Sequence, residues 1–377
     1  MINNKIKCRF APSPTGYLHV GNIRTAIINY LFAKKNNGQF LLRFDDTDEQ
    51  RVKDEYKDGI IEDLNWLGLH YDKDIIKQSQ RLELYQKAKD QLIKSSRIYE
   101  CFETPEELNL QRKSQTINGQ RPIYDRAALN LTDQQKENLR KEGKKSYWRF
   151  LIQDQITSWQ DGIKGNIKFE GRHFSDPVII RENGLPTYTF CSVVDDIDLN
   201  ITDVIRGEDH ITNTAIQIQI FQALEAENIP NFSHLALVKA SEGKISKRIG
   251  GFDIRSLRKE GFEALSIINL LPQIGNSKSL EVKSGILELI NDFNLNNFSK
   301  SATKYNLDEL KNINQKLLQI LPFSAIKSSL EKLRIKINEN FWSNIKNNIE
   351  FLQEAEDWFD ICQNNPKYNH KKEDLEL

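Results

Sequence analysis

Ile6-Lys7-Cys8-Arg9-Phe10-Ala11, followed by Pro12-Ser13-Pro14-Thr15-Gly16-Tyr17-Leu18-His19-Val20-Gly21-Asn22, decides how the rest of the chain is read. The first six residues suit a short apolar strand. The next stretch is rich in Pro, Ser and Gly, and helical apolar spacing takes over after it. A strand, a turn-rich loop and a helix in that order are how an α/β nucleotide-binding fold brings phosphates to a helix N-terminus. The expected fold class is therefore α/β.

Working outward, Asn37-Gly38 reads as a turn and residues 39–44 as a strand that ends in Asp45-Asp46-Thr47-Asp48. Helical periodicity returns over residues 54–67 and 80–94, and this alternation predicts a mainly parallel sheet with helices on its faces. From about residue 100 to residue 186 the pattern changes to a polar helical stretch and short alternating strands such as Tyr147-Trp148-Arg149-Phe150, which reads as an insertion. The α/β pattern resumes with a strand over 200–206, a helix over 213–226 and a strand over 235–239. Beyond Phe252 the chain reads almost wholly as helices, with apolar spacing at Leu265, Ile268 and Leu271 and again at Leu317, Leu318 and Leu321. The Asn-rich run over 291–298 reads as a connector, because Asn side chains compete for backbone hydrogen bonds.

Composition narrows the function classes. A chain of 377 residues holds two or three domains of ordinary size. No apolar run is long enough to span a membrane, and the first residues lead into a strand without the apolar core of a signal peptide, so a cytoplasmic location is expected. The four cysteines are scattered, which suits reduced, buried thiols rather than a disulfide framework. Formal net charge is zero, so any nucleic acid must meet local patches; residues 311–350 carry seven Lys/Arg against three Glu, a local +4.

A second motif gives the first its weight: Lys244-Ile245-Ser246-Lys247-Arg248, directly after Ser241-Glu242-Gly243. Taken singly, the first motif could be an ordinary strand-to-helix turn and the second a solvated lysine loop. Together, His19-Val20-Gly21-Asn22 resembles the HIGH signature of class I aminoacyl-tRNA synthetases, and Lys244 to Arg248 resembles their KMSKS loop. Arg9-Phe10-Ala11-Pro12-Ser13-Pro14-Thr15-Gly16, Val194-Asp195-Asp196 and Val204-Ile205-Arg206-Gly207-Glu208-Asp209-His210 resemble the bacterial glutamyl-tRNA synthetases in particular. The resemblance is densest over residues 5–277 and fades over the last third.

That resemblance implies a Rossmann-like class I synthetase catalytic domain with an α+β insertion, followed by an all-α C-terminal region. The implied divisions are 1–99 and 187–252 for the two catalytic halves, 100–186 for an insertion that grips the tRNA acceptor end, 253–310 for stem contact and 311–377 for an incomplete anticodon-binding region. ATP would be held by His19, Gly21, Asn22, Lys244 and Lys247. Gly21 leaves no side chain between backbone and nucleotide, and the helix N-terminus adds partial positive charge. Lys244 and Lys247 would neutralise the departing pyrophosphate together with Mg²⁺, with Ser246 bonding the loop or a phosphate. No general base is needed, because a free α-carboxylate with a pKa of roughly 3.5 is already ionised at neutral pH.

Arg9, Ser13, Tyr188 and Arg206 match the residues that surround glutamate in the resembled family, where an Arg fork rejects a neutral amide. For Arg43 a structural salt bridge to Asp45, Asp46 or Asp48 competes with any such role. Asp45 stands where the family usually has Glu facing the substrate ammonium, and its shorter arm calls for a shifted backbone or a bridging water. Cys101 has no nearby Cys or His with which to close a tetrahedral site, so no zinc is expected. His70, His173, His234 and His370 read as satisfied surface or core residues, while His210 falls in the Arg206 segment. The expected partners are L-glutamate, ATP and tRNA-Glu, with tRNA-Gln a further candidate, acting on a monomer. A glutamyl-queuosine tRNA synthetase-like paralogue, a glutaminyl-tRNA synthetase, a metabolite nucleotidyltransferase and a non-catalytic tRNA-binding module are the alternatives. The intact lysine loop, the tRNA-facing insertion and the helical C-terminal region weigh against them.

Overall fold

A computed structural model describes residues 5–48, 50–240, 253–277 and 279–364. The first half runs β1 (Lys7–Phe10), α1 (Val20–Lys35), β2 (Gln39–Phe44), α2 (Asp54–Trp66), β3 (Ile76–Lys77) and α3 (Leu82–Lys94). The changed pattern begins at β4 (Ile98–Cys101) and continues through α4 (Pro105–Ile117), α5 (Asp133–Lys141), β5 (Tyr147–Phe150), β6 (Ile156–Asp161), β7 (Gly165–Glu170) and β8 (Val178–Ile180). Then come α6 (Tyr188–Asp198), β9 (Asp203–Gly207), α7 (Ile211–Ala223), β10 (Asn231–Leu235) and β11 (Val238–Ala240). The remainder is α8 (Ile254–Glu260), α9 (Ala264–Leu270), α10 (Ile286–Asp292), β12 (Thr303–Tyr305), α11 (Leu307–Ile320), α12 (Phe323–Leu333), α13 (Glu339–Ile345) and α14 (Glu354–Asn364).

The main sheet has the order β10-β9-β1-β2-β3, with every neighbouring pair parallel. β1 sits at the centre with β2 on one side and β9 on the other, so the chain order reverses beside it. In open α/β sheets the crevice at the carboxyl end of such a strand is where ligands bind. Alternation along β2 sorts its side chains between two cores. Phe40, Leu42 and Phe44 pack with Ile23, Ile27 and Leu31 of α1, whereas Leu41 packs with Phe190 and Val194 of α6 and Phe221 of α7. Burial on both faces explains why Phe40, Leu41 and Leu42 follow one another without the polar alternation of a half-buried strand.

The stretch between β4 and β8 holds a separate antiparallel sheet, β4-β5-β8, and the β6-β7 hairpin. The hairpin reaches the main sheet: the Gly162 amide donates to the Phe232 carbonyl on β10 at 2.9 Å. The first core continues without a break into α9 and α11 through Ile267, Leu270, Leu310 and Ile313, which docks the helical C-terminal part on α1. A further core surrounds the fully buried Trp342, whose indole N–H donates to the Leu321 carbonyl at 3.2 Å.

Several boundaries differ from the sequence expectation. The strand expected at 200–206 starts at Asp203, because Asn200 adopts a left-handed turn at φ 53°. The strand expected at 235–239 is two strands, the end of β10 and the start of β11, separated at Ala236 and Leu237. The helix expected at 213–226 runs from Ile211 to Ala223. The C-terminal part is not purely helical: β12 pairs in parallel with β11, Ala240 opposite Tyr305. Three of the four thiols are buried as expected, but Cys362 on α14 is exposed.

Candidate active site at the carboxyl ends of β1, β9 and β10

A cavity of about 660 Å³ opens where the topology predicts, lined by the loop after β1, the start of α1, the end of β9 and the turn between β10 and β11. His19 is the N-cap of α1. Its Nδ1 accepts the Gly21 amide at 3.1 Å, and Asn22 Oδ1 accepts the His19 amide at 3.3 Å, closing a capping box. Because Nδ1 is an acceptor, the ring proton sits on Nε2. Partial desolvation lowers the His19 pKa, which keeps the ring neutral at pH 7. Gly21 serves this arrangement: a Cβ there would lie 3.0 and 3.1 Å from the imidazole Cε1 and Nδ1. The glycine lets the His19 ring fold onto the helix end.

On the opposite wall Arg206, buried at 5% exposure, donates from Nη1 to the Tyr188 hydroxyl at 3.0 Å and from Nη2 to Thr214 Oγ1 at 2.7 Å and Gln217 Oε1 at 2.6 Å. All three partners are neutral, and among the described residues its Nε has no hydrogen-bond partner. Burial lowers the pKa of this guanidinium from its usual value. A buried cation with only neutral partners costs several kcal/mol to maintain. Here the unpartnered Nε belongs to a cavity-lining side chain.

The neighbouring arginines are compensated. Arg9 forks onto Asp196, Nε to Oδ1 at 3.1 Å and Nη2 to Oδ2 at 3.2 Å. Arg43 bridges Asp196 at 2.8 Å and Asp45 at 2.7 Å. Arg81 closes on Asp195 at 2.7 Å and Asp198 at 2.5 Å. Burial would raise the Asp196 pKa, but Arg9 and Arg43 outweigh it and hold the carboxyl below its usual range. For Asp45 burial prevails and pushes the pKa up to about 6 despite Arg43. Of these four arginines Arg206 is the one whose hydrogen-bond partners among the described residues include no carboxylate.

Arg24 also lines the cavity and is buried. Its guanidinium donates to the carbonyls of Leu271 at 3.2 Å, Ala236 at 3.2 Å and Ile274 at 2.9 Å, and burial lowers its pKa to about 10. It joins α1 to the turn after β10 and to the segment after α9.

Comparison with known proteins agrees with this fold. Residues 5–312 match the tRNA synthetases class I (E and Q) catalytic domain. The chain belongs to this synthetase family. It is 47% identical over 374 residues to glutamate–tRNA ligase 1 of Rickettsia massiliae, covering 99% of this chain and 83% of that protein. The ligase of the same name from Rickettsia felis is 49% identical over 364 residues, covering 96% of this chain and 81% of the relative. Among solved structures, a glutamate tRNA ligase from Elizabethkingia meningosepticum in complex with its amino acid superposes with a TM-score of 0.83 at 29% identity, covering 95% of this chain and 80% of that one. The protein is thus a ligase with the class I synthetase fold.

In this synthetase Arg9, Ser13, His19, Gly21, Asn22, Tyr188 and Arg206 all line one cavity, as does His210. Burial and the nearby Arg206 charge lower the His210 pKa to about 4, so that ring is neutral. Asp45 is not on the lining. It is buried with both carboxylate oxygens turned to Arg43, two residues back along the same strand direction, where a short carboxylate arm closes on its own strand neighbour. Of the three partners weighed for Arg43, Asp45 is the one taken; Asp46 instead pairs with Lys57 and Ser79, and Asp48 with Arg51. Lys244, Ser246 and Lys247 lie outside the described residues. The strand before them, β11, and the residue after, Asp253, are described, and Asp253 bridges to His19. Sequence reasoning missed Arg24, Thr214 and Gln217, whose only sequence signal is a polar residue inside an otherwise apolar helix. Cys101 lies 3.8 Å from the Tyr124 hydroxyl inside a small aromatic cluster. No described helix is long and apolar enough to cross a membrane.

Proposed function

We propose that the chain activates L-glutamate with ATP and transfers the glutamyl group to the terminal ribose of tRNA-Glu. In the first step an α-carboxylate oxygen attacks the α-phosphorus, a P–O bond forms and pyrophosphate leaves. In the second, the ribose hydroxyl attacks the activated carbonyl and AMP leaves. Arg206 carries this reading: a buried, uncompensated guanidinium at a cavity wall is complementary to a substrate carboxylate and leaves a neutral amide underpaired. Tyr188, Ser13 and Arg9 complete the amino-acid end, with Arg9 set by Asp196.

ATP would lie toward α1, where His19 Nε2–H, the helix N-terminus and the side-chain-free Gly21 favour phosphate oxygens. Lys244 and Lys247 would neutralise the leaving pyrophosphate, with Ser246 bonding the loop. Asp209 is the one carboxylate among the described cavity residues. That fits Mg²⁺, which takes one or two carboxylates beside substrate phosphates and would neutralise phosphate charge when bound. The α4 to β8 stretch would meet the acceptor end, and the helices after α8 the stem and anticodon side.

Aminoacylation of purified tRNA-Glu and tRNA-Gln with radiolabelled glutamate or glutamine tests the reading. Charging of tRNA-Glu with glutamate is the expected result, and charging of tRNA-Gln as well would widen the acceptor range. Charging with glutamine alone would make the chain a glutaminyl enzyme and overturn the reading. A second prediction concerns Gly21→Ala: the added methyl pushes the His19 ring by a few tenths of an ångström and breaks its cap. The KM for ATP is expected to rise by about tenfold, the cost of one charge-assisted hydrogen bond, while the KM for glutamate stays within about twofold. Equal rises in both would detach His19 from the nucleotide.

A further inference from the structure

His234 is fully buried on β10 and does not line the cavity, yet it is two hydrogen bonds from the Arg206 guanidinium. Its Nδ1 lies 2.5 Å from Asp161 Oδ2, and its Nε2 lies 2.9 Å from Thr214 Oγ1, the same oxygen that accepts Arg206 Nη2 at 2.7 Å. We infer that Asp161 and His234 position Arg206 through the Thr214 hydroxyl and so set glutamate affinity from outside the pocket. This rests on Arg206 being the glutamate contact.

The direction of each bond follows from the donors present. Asp161 accepts the amides of Ile163 at 3.0 Å, Lys164 at 2.9 Å and His234 at 3.1 Å, and the Trp159 indole at 3.3 Å. Burial alone would raise its pKa, but these bonds and His234 bring it to about 2, so the carboxylate is an anion and an acceptor only. His234 Nδ1 must then carry the proton it donates. Burial lowers the His234 pKa, so the ring is neutral and Nε2 is an acceptor. Thr214 has one hydroxyl proton and two acceptors in reach, the His210 carbonyl at 3.2 Å and Nε2 at 2.9 Å; pointed at the nearer Nε2, which has its own proton on Nδ1, it leaves the oxygen lone pairs for Arg206. The anion at Asp161 thus polarises the hydroxyl that fixes the guanidinium, as chains of hydrogen bonds do in a low-dielectric interior.

The relay begins in the β6-β7 hairpin, because Asp161 is the last residue of β6 and caps the turn to β7. The same turn is tied down a second time. Lys164 pairs with Glu208, whose other oxygen accepts the Leu237 amide at 3.0 Å between β10 and β11. A segment far from Arg206 in sequence therefore holds its orientation, while Gln217, one turn further along α7, holds the same Nη2.

Steady-state aminoacylation with the full chain tests the inference through Thr214→Val, which removes the hydroxyl and keeps the shape, and Thr214→Ser, which keeps the hydroxyl. His234→Phe is the second variant, its ring fitting between Trp159 and Phe232. Thr214→Val and His234→Phe are expected to raise the KM for glutamate about tenfold with the KM for ATP within about twofold, and Thr214→Ser to remain within about threefold of the parent. A merely structural role would move both KM values together or neither, and either result overturns the inference. Arg206→Ala is the control. If it raises the glutamate KM while Thr214→Val does not, the relay fails alone; if it too leaves the glutamate KM unchanged, the assignment of Arg206 fails.

Discussion

Arg206→Ala is expected to raise the KM for glutamate by about a hundredfold or more and to erase most of the preference for glutamate over glutamine. One charge-assisted contact in a desolvated wall contributes about 1.5–3 kcal/mol, and a hundredfold change corresponds to about 2.7 kcal/mol. Kinetics with each amino acid under the same tRNA and ATP concentrations provide the check. A retained preference would move recognition of the side-chain carboxylate to another residue. Stability should change less than activity, because the deletion also removes a buried cation that has no carboxylate partner among the described residues. The Tyr188, Thr214 and Gln217 oxygens it leaves behind set the remaining cost.

Asp196→Ala should show the opposite balance, with a large loss of stability. Asp196 serves Arg9 and Arg43 at once, and all three are at most 5% exposed as side chains. Removing it strands the buried Arg9 guanidinium and leaves Arg43 to Asp45 and Asp195, and breaking a buried pair by deleting one partner costs about 3–5 kcal/mol. Thermal melts should fall by several degrees, and Asp196→Asn, which keeps an acceptor oxygen, should fall by less. An unchanged melt would mean that Arg9 and Arg43 find other partners. The effect persists into mild acid: Asp196, with its lowered pKa, contributes stability above the ordinary carboxylate pKa and loses it only as the pH falls through the lowered value. Asp45 behaves in the reverse sense. Its pKa of about 6 means that its ionised form weakens the fold above pH 6, and that penalty is relieved as the pH falls toward 4.

The part of the fold set by local pattern was legible in the sequence. β1, the Pro-rich loop and α1 announce themselves through composition and period, and β2 through Phe40-Leu41-Leu42 after the Asn37-Gly38 turn. β12 was invisible because Thr303-Lys304-Tyr305 carries no pattern of its own; its pairing with β11 is supplied by tertiary structure. At the site, motif residues were legible and their partners were not. Arg9 was read as a substrate group, but the carboxylate that aims it lies 187 positions away on α6. In the sequence nothing sets Arg24 apart, and His234 reads as a satisfied surface or core residue. Their meaning depends on the carbonyls of Leu271 and Ile274 and on Asp161, which nothing local connects to them. The Asp45 arm was expected to reach outward, whereas its neighbour Arg43 is the nearer charge.

β11 is bound to β12 as far as Ala240, and Asp253 is bridged to His19, so both ends of the segment 241–252 are moored beside the cavity. Val238, opposite Thr303 in that pairing, and His19 both line the cavity, so one wall takes its shape from two directions, from the C-terminal part through β12 and from the N-cap of α8 through Asp253. Damage to the C-terminal part would therefore reach the cavity without touching a residue that lines it.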